Sequence, residues 1–239
     1  MKVLKDALLT TLFPTACHVC GQLVESNDYG VACQQCWQAY QVLPTNNLCL
    51  KCGYPFEIPS QNFPIKDCLR CRNILFSLAR ACGAYEGAMS ASILALKTRP
   101  YLCEKLVELI QNTVQKSDFL PINLVIPIPL HLNRLKERGF NQALLIAEYA
   151  SKFITVDLDN ESLARVKPTI KHRVGMNVVD REDSLKGAFQ VTRPRLVKGQ
   201  IVLLVDDVFT TGTTISVATK ALLEAGAKEV KVFTLARVI

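Results

Sequence analysis

Residues 201 to 216 read IVLLVDDVFTTGTTIS. Ile201 to Val205 is a short, unbroken, largely branched apolar run, the pattern of a strand covered on both faces. It delivers two adjacent acids, Asp206 and Asp207, at its carboxyl end. Thr210-Thr211-Gly212-Thr213-Thr214 follows, and Ile215 to Ala225 reads as a helix ended by Gly226. A Thr/Gly turn at a helix N-terminus offers unpaired backbone amides, short hydroxyl donors and the positive end of the helix dipole. Those are the ingredients of a phosphate cradle. Neither GxxxxGKS/T nor GxGxxG occurs anywhere in the chain, so a nucleotide-triphosphatase loop and a dinucleotide fingerprint are excluded. Two carboxylates one step from a phosphate site suit sugar hydroxyls or Mg2+, because carboxylates accept hydrogen bonds and hard cations take oxygen. A capped helix after a strand would account for the threonines, but not for the double acid behind VLLV.

Outward from this stretch, strands and helices alternate. Val230 to Leu235 reads as the next strand and Leu124 to Pro127 as an earlier one. Met89 to Lys97 reads as a helix stopped by Pro100, and Leu102 to Lys116 as another. Asn141 to Phe153 is amphipathic, with Leu144, Ala147, Tyr149 and Phe153 near helical spacing. The alternation predicts an α/β fold, a mostly parallel sheet with helices on both faces, whose ligands sit at the carboxyl ends of the strands.

The first third is built differently. Of ten cysteines, eight form CxxC pairs: Cys17/Cys20, Cys33/Cys36, Cys49/Cys52 and Cys68/Cys71. CxxC lets two thiolates from one tight turn reach one metal, and two such turns complete a tetrahedral shell. CHVCG…CQQC is echoed by CLKCG…CLRC, an internal repeat in which Gly21 and Gly53 follow the first knuckle of each copy. Positive φ there turns backbone amides towards a thiolate. The repeat favours two sequential sites, Cys17/Cys20/Cys33/Cys36 and Cys49/Cys52/Cys68/Cys71, over an interleaved arrangement. Two structural Zn2+ ions are expected, because a closed four-thiolate shell leaves no open position for catalysis. Trp37, Tyr40, Tyr54 and Phe56 either stack on bases or fill the ribbon core, and the core is favoured. Cys82 and Cys103 stand alone in apolar context and read as small buried hydrophobes. The change of composition near residue 77 divides the chain into a double zinc ribbon, 1–76, and an α/β domain, 77–239.

The 239 residues are 49% hydrophobic and 21% charged, too apolar for a disordered chain. No apolar run approaches the ~18 residues of a membrane-spanning helix, so no integral membrane segment is expected. A net charge of +7 permits a polyanionic partner. MKVLKDALLTTLFPTAC mimics a secretory signal, but Lys5-Asp6 interrupts it and Pro14 sits just before the cysteine, so no signal is read and a cytoplasmic location is expected.

VLLVDDVFTTGTT closely resembles the phosphoribosyl-pyrophosphate motif of type I phosphoribosyltransferases. The chain as a whole resembles the ComF/ComFC/GntX family, which joins a zinc ribbon region to such a domain. The agreement extends through YEGAMSASILALK (85–97), VIPIPLHLNRLKERGFNQA (125–143) and LKGAF (185–189) and so covers nearly the full length. The resemblance implies that Asp206 and Asp207 are the catalytic pair, holding the ribose 2′- and 3′-hydroxyls. It implies that Thr210, Thr211, Gly212, Thr213 and Thr214 bind the 5′-phosphate. Pro129, Leu130 and His131 would form the pyrophosphate loop, with Arg134 and Arg138 as anion contacts or, alternatively, as a solvated helix start. Mg2+ would accompany the phosphoribosyl pyrophosphate.

The resemblance also makes residues 165 to 181 a hood over the site. Five Lys or Arg stand there against Asp180 alone. The family's Thr-x-x-Gln and Arg-x-x-Asn are here Thr169 with His172 and Arg181 with Ser184, departures on the acceptor side of the site. The function implied is a ligand-binding protein needed for DNA uptake in natural transformation, handling single-stranded DNA beside competence-machinery proteins. The alternative is an active Mg2+-dependent phosphoribosyltransferase, a glycosyltransferase whose acceptor the sequence does not name.

Overall fold

The computed structural model describes residues 10, 12–41, 43, 47–56, 68–71, 74–115, 118–168 and 187–239. Its strands are β1 (Leu78–Ala84), β2 (Leu124–Pro127), β3 (Leu163–Arg165), β4 (Phe189–Val191), β5 (Ile201–Phe209) and β6 (Glu229–Arg237). Its α-helices are α1 (Gln34–Gln38), α2 (Gly87–Leu96), α3 (Glu104–Val114), α4 (Leu132–Arg138), α5 (Gln142–Ile154), α6 (Pro194–Val197) and α7 (Thr213–Glu224). Four strands pair in parallel in the order β1-β6-β5-β2, and β3 and β4 form a separate antiparallel ribbon.

Alternation along β5 builds two cores. Leu203 and Val205 point into one with Met89 and Ile93 of α2, Leu106 and Ile110 of α3 and Ile146 of α5. Val202 and Leu204 point into the other with Ile215, Ala218 and Leu222 of α7. Each such side chain contributes about 1.5–3 kcal/mol on burial, so a strand buried on both faces anchors the sheet. Both edges of the sheet are covered as well. Beyond β2, the Val125 N–H donates to the Asp157 carbonyl and the Asp159 N–H to the Val125 carbonyl, each at 2.9 Å.

Three elements depart from the sequence reading. β5 runs on to Phe209, so Asp206 and Asp207 lie within the ladder, because β6 continues alongside and pairs Thr234 with Asp206 and Ala236 with Val208. The last helix starts at Thr213, because Gly212 takes the left-handed conformation (φ 78°) that launches it. The buried stripe of α5 is Ala143, Ile146, Ala147 and Ala150, while Leu144, Tyr149 and Phe153 are half-buried at its flank. Small residues there let the helix lie close to β2 and β5.

The ribbons join these cores rather than standing apart. Cys17, Val24, Cys33 and Trp37 belong to the α2/α3/α5 core, whereas Cys49, Cys52, Cys68 and Cys71 belong to the α7 core. Trp37 is 4% exposed. Its indole donates to the Tyr29 carbonyl at 2.9 Å and its ring meets Tyr40 edge-on at 5.7 Å. These two aromatics fill a core shared by ribbon and sheet and are not laid out as a base-stacking surface. Tyr40 reaches Gly83 of β1, where an added Cβ would overlap its hydroxyl. Gly83→Ala is therefore expected to destabilise the protein by about 1–3 kcal/mol in chemical denaturation, and Tyr40→Phe in the same chain to recover part of that loss.

Candidate functional site

The site lies at the carboxyl ends of β5 and β2, the place a parallel sheet reserves for ligands. β5 ends in Asp206, Asp207, Val208 and Phe209, and Thr210 to Gly212 turn the chain directly into α7. Gly212 is required twice over. Its φ is in the left-handed region, and a Cβ would lie 2.9 Å from Cζ of Phe209 beneath it. Gly212 at the N-cap has no side chain to offer, so among the described residues only the Thr213 N–H of the first turn meets a side chain. Thr210 and Thr211 are exposed. Thr211 Oγ1 lies 2.9 Å from Thr213 Oγ1 and accepts from the Thr213 N–H at 3.5 Å. Open amides, clustered hydroxyls and a dipole's positive end make this loop chemically competent to hold a phosphate-sized anion.

Asp206 and Asp207 are both half-buried. Desolvation of the Asp206 carboxyl, and then the charge of Asp207, push it well above the usual carboxylate range. The Asp207 N–H, donating to Asp206 Oδ1 at 2.9 Å, and the charge of Arg165 act the other way. Arg165 ends β3, its guanidinium lies 5.2 Å from the Phe189 ring centroid, and its buried Nε has no hydrogen-bond partner among the described residues. Two adjacent carboxylates are an oxygen-donor set that a hard divalent cation fits. A carboxyl raised by folding stabilises the fold below the ordinary carboxylate pKa of about 4 and loses that contribution as pH climbs through its raised value. Asp206→Asn should therefore raise Tm by ~2–4 °C at pH 8, the equivalent of about 1 kcal/mol, and by less at pH 4.5, in parallel thermal melts.

The neighbouring strand supplies the second loop. The Ile128 N–H donates to the Val205 carbonyl at 2.8 Å, and Pro129, Leu130 and His131 then lead into α4. His131 caps that helix, its Nδ1 accepting from the Asn133 N–H at 3.3 Å. Asn141, capping α5, donates to the Ile128 carbonyl at 3.0 Å and fixes the base of the loop. Arg134 is paired with Glu137 at 3.4 Å on the exposed side of α4, and Arg138 sits half-buried in its last turn. A groove of about 360 Å3 opens beside Leu130, Phe140, Leu144 and Asn160. The fold thus gathers Asp206, Asp207, Thr210–Thr214 and the Leu130–His131 loop at one end of the sheet. Thr169, Lys171, His172, Arg173, Arg181 and Ser184 lie outside the described residues. Sequence reading passed over Asn141 and Arg237, and treated Arg165 only as one charge in a basic patch. A charge closing an otherwise apolar strand, as in SLAR and FTLAR, was the available signal.

Two cysteine clusters stand in the N-terminal region in the sequential pairing, Cys17/Cys20/Cys33/Cys36 and Cys49/Cys52/Cys68/Cys71, with each set of sulfurs within 4.8 Å of one another. Cys17–Cys36, Cys20–Cys33, Cys49–Cys71 and Cys52–Cys68 are separated by 3.7, 3.6, 3.6 and 3.5 Å. Thiolates about 2.3 Å from a tetrahedral zinc lie ~3.8 Å apart, whereas a disulfide needs about 2.05 Å. Gly21 and Gly53 have φ of 79° and 66°. Backbone amides of Val19 and Cys33 point at Cys17 Sγ, and that of Cys52 at Cys49 Sγ. The donor set, the spacing and the knuckle backbone support structural zinc. Cys82 and Cys103, outside both clusters, are buried at 2% and 3% exposure. Elemental analysis should find two zinc ions per chain, falling towards one in Cys17→Ser and in Cys49→Ser, with the larger loss of stability for Cys49→Ser because its cluster is entirely buried.

A family model described as a double zinc ribbon domain matches residues 8–72, and one described as a phosphoribosyl transferase domain matches residues 146–239. The chain is 29% identical over 233 residues to the DNA utilization protein YhgH of Salmonella typhi, covering 95% of this chain and 98% of that protein. It is 38% identical over 117 residues to competence protein F of Haemophilus influenzae, covering 47% of this chain and 49% of that protein. It is 36% identical over 118 residues to competence protein ComFC of Bacillus subtilis, covering 48% and 44% respectively. Among solved structures, glutamine phosphoribosylpyrophosphate amidotransferase from B. subtilis, complexed with ADP and GMP, aligns with a TM-score of 0.38 at 20% identity, over 54% of this chain and 26% of that one. Two cysteine clusters ahead of a parallel sheet, with an acid pair and a Thr/Gly loop at its carboxyl end, agree with the two family models: the chain joins a double zinc ribbon to a phosphoribosyltransferase domain and is similar to DNA utilization protein YhgH and to the competence proteins F and ComFC.

Proposed function

We propose that this protein binds phosphoribosyl pyrophosphate with Mg2+ and serves DNA uptake on the cytoplasmic side of the membrane. The ligand would lie in the domain formed by residues 77–239, and the ribbons of residues 1–76 would be its scaffold. One observation carries the ligand reading: an acid pair at the end of β5 continues without interruption into an uncapped Thr/Gly loop at the start of a helix. Thr210, Thr211, Gly212, Thr213 and Thr214 take the 5′-phosphate on backbone amides and hydroxyls. Asp206 and Asp207 accept from the ribose hydroxyls. Leu130 and His131 border the pyrophosphate, with Arg138 as its nearest cationic help, because Arg134 is already paired with Glu137. Asp206 and Asp207 are the residues that would receive the accompanying Mg2+, which would supply charge neutralisation.

The DNA reading is supported by the names of the relatives and by the net charge of +7. It assigns to the protein a salt-dependent contact with the backbone of single-stranded DNA, beside other competence proteins. Among the described residues, no helix is long and apolar enough to cross a membrane.

Asp206 supports a second reading, an active transferase. Its crowded carboxylate sits where positive charge would develop on the ribose as the anomeric C–O bond breaks, the pyrophosphate leaves with the electron pair and an acceptor nucleophile closes on that carbon.

Calorimetric titration of phosphoribosyl pyrophosphate with Mg2+ should give micromolar affinity in the wild type and at least a hundredfold loss in Asp206→Asn/Asp207→Asn. No binding to the wild type overturns the ligand reading. Pyrophosphate release in an acceptor screen would select the transferase over a binding protein.

A further inference from the structure

Arg237 closes β6 and is 4% exposed, yet among the described residues no carboxylate forms an ion pair with it and its Nε has no hydrogen-bond partner. A guanidinium held so far from water needs a counter-charge. Its Nη1 donates to the Cys52 carbonyl, within the knuckle of the second cysteine cluster. Its guanidinium lies 5.1 Å from the Tyr54 ring centroid on the ribbon side and 4.9 Å from that of Phe209 on the sheet side. Four thiolates around one Zn2+ carry a formal charge of −2, which is the missing counter-charge.

Phe209 takes this contact to the anion loop. It is 5% exposed, packs edge-on against Phe76 at 6.0 Å, pairs with Arg237 across the ladder and lies directly under Gly212. A loop whose glycine already touches that ring cannot keep its shape if the ring moves. The same knuckle is clasped twice more by the sheet. The Ala79 N–H donates to the Lys51 carbonyl at 2.6 Å, and Arg80 Nη1 to the Leu50 carbonyl at 3.1 Å. The first cluster differs: Cys20 is exposed, Cys36 half-buried, and its buried members pack into the opposite core.

We infer that Arg237 is the buried counter-ion of the second zinc centre and a positioning residue for the Thr210–Thr214 loop, so that metal at Cys49/Cys52/Cys68/Cys71, and not at the first cluster, sets the geometry of the anion site. The coupling runs both ways: the neutral variant loosens the metal, and loss of the metal loosens the loop. The affinity arm of the test rests on the ligand reading above; the other two arms do not.

The test uses the full-length, zinc-loaded protein. Zinc release to a chromogenic chelator should separate into a faster step from the exposed cluster and a slower one from the buried cluster. Arg237→Met should accelerate the slow step at least tenfold and leave the fast step unchanged. Amide exchange across Phe209–Thr214 should rise severalfold, and affinity for phosphoribosyl pyrophosphate should fall about tenfold. Arg237→Lys, which keeps the charge, should restore most of the zinc retention and supplies the same comparison should the methionine variant fail to fold. Cys49→Ser should raise exchange in the loop, and Cys17→Ser should not. An unchanged slow step in Arg237→Met, or equal loop exchange in the two cysteine variants, overturns the inference. A wild type that ignores phosphoribosyl pyrophosphate defeats the ligand reading alone, because zinc release and exchange still decide this one.

Discussion

The parallel ladder between β5 and β6, Ile201 against Glu229 through Phe209 against Arg237, is the constraint on which the rest of the molecule depends. Its apolar half supplies inward side chains to both cores, so neither helical layer can dock without it. Its carboxyl half carries everything polar that the site requires. Because the two strands run on together, Asp206 and Asp207 are fixed by backbone pairing, a stiffer arrangement than a loop would give. β6 ends on a buried guanidinium that touches both the ribbon and the loop platform. A single secondary-structure decision, to continue pairing beyond Val205, therefore sets the positions of the acids, of Phe209 and of Arg237 together.

The carboxyl end of that ladder is also where the fold sacrifices stability. Asp206 is desolvated beside a second carboxylate, Gly212 takes a conformation strained for other residues and lies against Phe209, and Gly212 offers α7 no side-chain cap. Each is unfavourable for folding and favourable for holding a doubly charged ligand and its cation. Elsewhere the structure follows the ordinary rules. Asn141 caps α5, His131 caps α4, and Lys231, buried on β6, donates to the carbonyls of Phe119 and Pro121. Unfavourable local features gathered at one end of a sheet are what a ligand-binding site requires of a fold.

Much of this was legible in the chain itself. The apolar run before Asp206, the Thr/Gly turn and the CxxC repeat each have a local cause, and local causes survive folding. What escaped depended on partners distant in sequence. The length of β5 is set by β6, and the buried face of α5 by how near its alanines bring it to the sheet. Arg237 drew no reading from the sequence, and only the approach of Cys52 from far along the chain gives it a meaning. Trp37 and Tyr40 were read as ribbon core, which is half of their role, since the core they fill belongs equally to β1 and α2. Periodicity reports on an element's own faces and is silent about which neighbour will cover them.

The two ribbons also differ in a way that their repeat conceals. Equal spacing of cysteines makes the metal shells alike, but their surroundings are set by the sheet edge to which they are fastened. The first cluster keeps Cys20 in solvent and contributes Trp37 to a hydrophobic interface, an arrangement that tolerates adjustment because apolar contacts are not directional. The second is fully buried, with three of its knuckle carbonyls taken by Ala79, Arg80 and Arg237. Hydrogen bonds of that kind are directional, and a carbonyl that moves leaves a buried donor unsatisfied. The duplicated module has thus been put to two uses: one copy fills a core, and the other is tied, through a guanidinium and a phenyl ring, to the loop at the far end of the strand.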